Sequence, residues 1–161
     1  MLSNEVAKAL LIQANEEFKS ERQYIAMEMY FKSLDLNGYA KLFNEYAKEE
    51  REHAYKILDF LDEWNHSTTL GPIKEVITDF KDPKNVFEVA YQHEQAVTKS
   101  ILDIMTLARN KKDNTGIQFL DWFIEEQREE EDKMLTRFNR LRLADNNMAA
   151  ILFLDKEDGL A

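Results

Sequence analysis

Cysteine is absent from this 161-residue chain. Its absence excludes disulfides, thiolate metal sites, iron–sulfur clusters and cysteine nucleophiles. Proline and glycine are scarce, at two and four residues. Because those residues punctuate element boundaries, their scarcity predicts long helices. No run approaches about 18 uninterrupted apolar residues, so no membrane span is expected. The opening Met1-Leu2-Ser3-Asn4-Glu5-Val6 lacks the basic region and apolar run of a secretory signal, which predicts a cytoplasmic protein. Positive charge is in deficit, with 21 Lys and Arg against 31 Asp and Glu, a net charge of −10. A nucleic-acid partner would favour a basic face, so none is expected, whereas metal cations are compatible. No Gly-rich loop leads into a helix with Lys-Ser/Thr, so nucleotide binding has no support.

What remains is apolar enough to fold. A hydrophobic fraction of 44% argues against a disordered acidic tail. The length suits a single domain over 1–161. The few breakers divide it into helices expected at about 4–33, 38–65, 84–111, 115–142 and 147–157. Ser3 or Asn4 can cap the first, and Asp82 the third, with Pro83 in its first turn. Gly38, Gly71 and Gly116 read as turn residues. The first four helices join in pairs by short, antiparallel links. Between the pairs, residues 66–83 are long enough, at about 3.3 Å per residue, to travel the length of a bundle. The expected fold is all-α: a four-helix bundle with a long crossover and a short fifth C-terminal helix.

Periodicity locates the chemistry. In the second helix, steps of three and four give Leu36, Tyr39, Phe43, Tyr46, Glu50, His53, Ile57, Phe60 and Trp64. This is one bundle-facing seam, broken only at Glu50 and His53. Leu10, Glu17, Tyr24 and Phe31 form the first seam, broken at Glu17. Phe87, Ala90, Glu94, Val97, Ile101, Ile104 and Ala108 form the third, broken at Glu94. Leu120, Phe123, Gln127, Glu130, Met134 and Leu141 form the fourth, broken at Gln127 and Glu130. Every break lies near a helix midpoint, so antiparallel packing brings them to one level. An ionised carboxylate in a core costs several kcal/mol unless it is paired or neutralised. Four at one level call for cations, and carboxylates with one imidazole suit iron, manganese or zinc.

With these residues the sequence resembles the ferritins, specifically the prokaryotic non-haem type. The resemblance rests on Glu17, Tyr24, Glu49-Glu50-x-x-His53, Tyr91-x-His93-Glu94, the segment from Phe119 to Glu131, and the tail from Ile151 to Glu157. It implies an iron-storage subunit with ferroxidase activity. Fe(II) would be oxidised by dioxygen or peroxide, and Fe(III) passed to a mineral inside a hollow homo-oligomer of 24 subunits. Glu17, Glu50 and His53 would hold the first iron. Glu50, Glu94 and Gln127 would hold the second, with Glu50 bridging. Glu49, Glu126, Glu129 and Glu130 match a nearby third site, and Tyr24 and Trp122 match aromatics beside the centre. Seven acids, Glu17, Glu49, Glu50, Glu94, Glu126, Glu129 and Glu130, are thereby expected to point inward.

Departures from related families matter. Gln127 and Glu130 stand where bacterioferritins carry a second Glu-x-x-His, and Arg51 stands where they carry a haem-binding methionine, so no haem is expected. The lone Glu-x-x-His and the missing cysteines disfavour a di-iron or di-manganese redox enzyme of the same bundle type. A DNA-protecting mini-ferritin would place its ligands across a subunit interface. A metal-free helical interaction module would leave its core carboxylates unpaired. Glu21-Arg22-Gln23 is more polar than the family's usual dimer-contact face, and Glu21 reads as a surface ion pair. His66 reads as solvated. His93 lies off the seam.

Overall fold

The computed structural model describes residues 1–160. Among them are five helices and no strand: α1 (Asn4–Ser33), α2 (Asn37–Glu63), α3 (Pro83–Asn110), α4 (Asn114–Ala144) and α5 (Met148–Gly159). α1 to α4 form a four-helix bundle, with α5 docked at one end. None of the helices is long and apolar enough to cross a membrane.

Side-chain caps start four of the helices. Ser3 accepts from Val6 N at 3.2 Å, Asp82 from Asn85 N at 2.7 Å, Asp113 from Gly116 N at 2.9 Å and Asn147 from Ala150 N at 3.0 Å. Each satisfies a backbone donor that the first helical turn leaves open. The chain leaves its helices without using glycine. Asp35, Asn65, Lys112, Asp145 and Asn146 take the left-handed backbone conformation, mostly Asp and Asn, which tolerate it through local hydrogen bonding. The turn readings of Gly38 and Gly116 are corrected accordingly. Gly38 and Gly116 lie in the first turns of α2 and α4, and no glycine among the described residues has positive φ. Gly38 is needed for close approach instead. A Cβ there would lie 1.8 Å from the Asp155 carbonyl oxygen, so its absence lets α5 pack on α2. The Asp155 carboxylate then accepts from Tyr39 N at 2.8 Å.

The crossover from α2 to α3 has no helix or strand of its own and is tied to α1. Gln23 donates to the Ile77 carbonyl at 2.8 Å and accepts from Ile77 N at 2.9 Å, while Asn15 donates to the Pro72 carbonyl at 2.8 Å. This explains the polar stretch on α1. Gln23 is buried under the crossover, and Glu21 faces Arg51 at 4.0 Å.

The seam of α2 drifts at its end. Leu61 is buried, while Trp64 is 41% exposed and Phe60 half-buried. A straight helix turns every 3.6 residues, so a 3.5-residue seam slips by ~20° per heptad. The core itself is divided. One apolar cluster holds Phe31, Tyr39, Phe43 and Phe87; the other holds Leu10, Ile57, Ile101 and Leu120. Between them lies a polar layer drawn from all four long helices.

Candidate metal centre

The polar layer is built from the seam breaks. Glu17, Glu50, His53, Glu94, Gln127 and Glu130 are all buried. Ligand atoms of Glu17, Glu50 and His53 lie within 4.8 Å of one another, as do those of Glu50, Glu94 and Glu130. Glu50 belongs to both groups. His53 Nδ1 is 3.5 Å from Glu50 Oε2 and 3.9 Å from Glu17 Oε2. Its other nitrogen, Nε2, is 3.5 Å from Glu126 Oε1, and its ring meets Trp122 edge-on at 5.5 Å. The Glu126 carboxylate thus stands beside the far nitrogen, while Nδ1 faces the two glutamates.

Glu130 is the third acid of the second group, and Gln127 lies against it at Glu94. The Gln127 amide nitrogen donates to Glu94 Oε2 at 3.0 Å and to the Glu94 carbonyl at 3.3 Å. Tyr24 donates its hydroxyl to the other oxygen of Glu94. Glu94 is thus gripped from both sides, by helices α1 and α4.

Electrostatics make the layer costly without a cation. Burial, then the charge of Glu50, raises the Glu17 carboxyl well above the carboxylate range. Burial and Glu94 do the same to Glu50. Burial raises Glu94 against the opposing hydrogen bonds from Tyr24 and Gln127. Glu130 is pushed up to about 8 by burial and by Glu94. The Tyr24 phenol is also raised, by burial and by Glu94. Glu17 Oε2, His53 Nδ1 and Glu130 Oε2 are buried without a hydrogen-bond partner among the described residues. Buried polar atoms are normally paired, and these converge from different helices. They fit a cation: hard carboxylate oxygens with one imidazole nitrogen match iron, manganese or zinc.

The remaining expected residues stand apart. Glu49 is half-buried, and Glu126 is the carboxylate beside His53. Glu129 is exposed on α4, so the inward orientation expected of it does not hold in the single chain. At i+2 from Gln127, the helix turns it away from the core. His93 bonds Ser20 Oγ through Nε2 at 2.6 Å, and burial lowers it to about 4, so it stays neutral outside both groups. His66 is half-buried rather than solvated, donating from Nε2 to the Leu2 carbonyl at 3.2 Å.

Sequence reasoning missed several supports. Gln13 donates to Glu17 Oε1 at 3.0 Å and accepts from Ser100 Oγ at 2.7 Å. Thr98 accepts from Gln127 at 3.3 Å and donates to Glu131 at 2.6 Å. Lys133 Nζ lies 3.4 Å from Glu130 Oε1. Burial lowers this ammonium, but Glu130 and Glu49 outweigh burial and leave it raised.

Comparison with known proteins agrees with this fold. A family model described as a ferritin-like domain matches residues 7–144. The bacterial non-heme ferritin of Staphylococcus epidermidis is 34% identical over 157 residues, covering 98% of this chain and 95% of the relative. A probable bacterial non-heme ferritin-like protein of Haemophilus influenzae is 30% identical, covering 99% and 96%. Among solved structures, an open-pore ferritin of the archaeon Archaeoglobus fulgidus superimposes with a TM-score of 0.97 at 35% identity, covering 100% of this chain and 99% of that one.

Proposed function

This chain belongs to the ferritin family, and from that premise we propose that it is an iron-storage subunit whose buried centre oxidises Fe(II). The observation that carries the proposal is the sharing of Glu50 between two adjacent ligand groups, each with an unpartnered buried oxygen. Two ions bridged by one carboxylate can each give one electron, which together reduce dioxygen to peroxide. Glu17, Glu50 and His53 hold the first Fe(II). Glu50, Glu94 and Glu130 hold the second, with Gln127 as its amide ligand once the carbonyl oxygen turns inward.

The protein's own residues set the chemistry. Anionic oxygens favour Fe(III) over Fe(II), lowering the potential of the bound ions. Tyr24 and Gln127 hold Glu94 in place. The neutral imidazole of His53 at the first ion and the neutral amide of Gln127 at the second hold each ion less firmly than a further carboxylate would, which suits a centre that releases its product. Fe(III) passes to a mineral inside a hollow 24-subunit shell in the cytoplasm. Iron is the substrate, and dioxygen or peroxide the oxidant. No haem takes part.

Aerobic addition of Fe(II) to the purified protein tests this. Rapid formation of Fe(III) is expected, at least tenfold slower in Glu50→Ala, from a particle far larger than 19.0 kDa. A monomer indifferent to iron overturns it.

A further inference from the structure

Glu49, Glu126, Glu129 and Glu130 are the carboxylates that the resemblance gathers around a third ion. No three of them bring ligand atoms within 4.8 Å of one another among the described residues, although Glu126 adjoins Glu130. Glu130 joins Glu50 and Glu94, Glu126 faces His53, and Glu129 is exposed. The cation found on this flank is a side chain. Lys133 stands one helical turn after Glu130, with Nζ 3.4 Å from Glu130 Oε1. With Tyr46, Glu49, Arg137 and Asp158 it lines a cavity of ≈ 300 Å³ between α2, α4 and α5. Glu130 is fully buried, while the Lys133 side chain is 37% exposed. Its charged end therefore reaches inward from a stem at the surface.

We propose that Lys133 is a built-in competitor for the third metal ion: its ammonium occupies the flank of Glu49 and Glu130, and limits the chain to two tightly held ions. The inference rests on the two-ion reading above. An ammonium is a compact point charge with donors only, so it engages the same carboxylate oxygens that a metal would use. A divalent ion beside it would meet direct repulsion, whereas the charge of Arg137 in the same cavity is paired with Asp158 at 3.8 Å. Arg137 is tied by Nη1 to the Lys133 carbonyl at 3.3 Å, whereas the Lys133 stem is flexible and partly solvated. Glu49 Oε2 is buried with no hydrogen-bond partner among the described residues. A ligand therefore waits on this flank for an ion that displaces the ammonium. The third position fills at high metal concentration and empties readily, because Lys133 returns.

Anaerobic calorimetric titration with Fe(II), repeated with Zn(II), tests this on the assembled protein. Lys133→Met keeps the stem and removes the charge; Lys133→Arg keeps the charge. Lys133→Met should bind its third ion at least tenfold more tightly than wild type, and so hold one ion per chain more at metal concentrations that fill only two positions of wild type. Lys133→Arg should match wild type. Lys133→Gln repeats the count if the methionine variant fails to fold. Equal third-ion affinities in wild type and Lys133→Met overturn the proposal, as does a Lys133→Arg third-ion affinity equal to that of Lys133→Met. A wild type that binds fewer than two ions, with Lys133→Met still one ahead, overturns the two-ion reading and leaves the role of Lys133 standing.

Discussion

Replacing Glu50 with glutamine should stabilise the metal-free protein and destabilise the metal-loaded one. Glu50 is 2% exposed and faces other carboxylates, so without a cation it is held neutral. Holding a carboxyl of ordinary value 4.5 protonated at pH 7 costs about 3 kcal/mol, at about 1.4 kcal/mol per pH unit. Its folded value is raised, so the penalty is absent below 4.5 and grows as the pH climbs toward the folded value. Glutamine has nearly the same shape and carries no such penalty. Metal-free Glu50→Gln should therefore gain about 3 kcal/mol at pH 7 and under about 1 kcal/mol at pH 5. For a chain of this length that is a rise in Tm of about 6–12 °C at pH 7.

Zinc, which does not change oxidation state, should reverse the order. An ion at a hundred times its Kd stabilises the native state by about 2.7 kcal/mol. Glu50 serves both ligand groups, so its loss weakens both ions. Thermal melts of the two proteins at pH 5 and 7, with and without Zn(II), read all four states. A metal-free helical module predicts the stabilisation but no reversal. A gain equal at both pH values, or a loss at pH 7 without metal, refutes the electrostatic reasoning.

Gly38→Ala should cost about 1–3 kcal/mol and loosen α5, since the new methyl group meets the Asp155 carbonyl at 1.8 Å; proteolysis of the C-terminal segment reports the loosening. Asp113→Ala should cost about 1–2 kcal/mol near neutral pH, because it removes the acceptor of Gly116 N and Ser3 N. Burial raises the Asp113 carboxyl, but those N–H donors outweigh it and hold it low, so its contribution is full above 3.8 and fades as the pH falls further; urea melts at pH 6 and pH 3 should show the gap narrowing. Gln23→Ala removes both hydrogen bonds to Ile77, and limited proteolysis should then cut the crossover at least several-fold faster while the helices stay protected.

The all-α bundle was legible because two independent signals agreed: few breakers and one apolar seam per helix. The polar layer was legible for a related reason. Glu17, Glu50, His53, Glu94, Gln127 and Glu130 each violate a pattern that their neighbours obey, and burial makes such a violation expensive. The same logic is blind to side chains that violate nothing. Thr98 and Lys133 lie on flanks where polar residues are ordinary, and Gln13, though buried, falls between the seven-residue steps of the first seam. Glu129 erred the other way, because an acidic run suggests a shared destination that helix geometry forbids. A second pass would have found the missing supports. Gln13 precedes Glu17 by four residues, Thr98 follows Glu94 by four, and Lys133 follows Glu130 by three. Those are the spacings at which helical side chains touch. Once a buried carboxylate is placed, its neighbours one turn away decide whether its charge is held by a hydrogen bond, a metal or an ammonium. In this chain Glu130 has the ammonium, and the number of ions bound depends on how readily it yields.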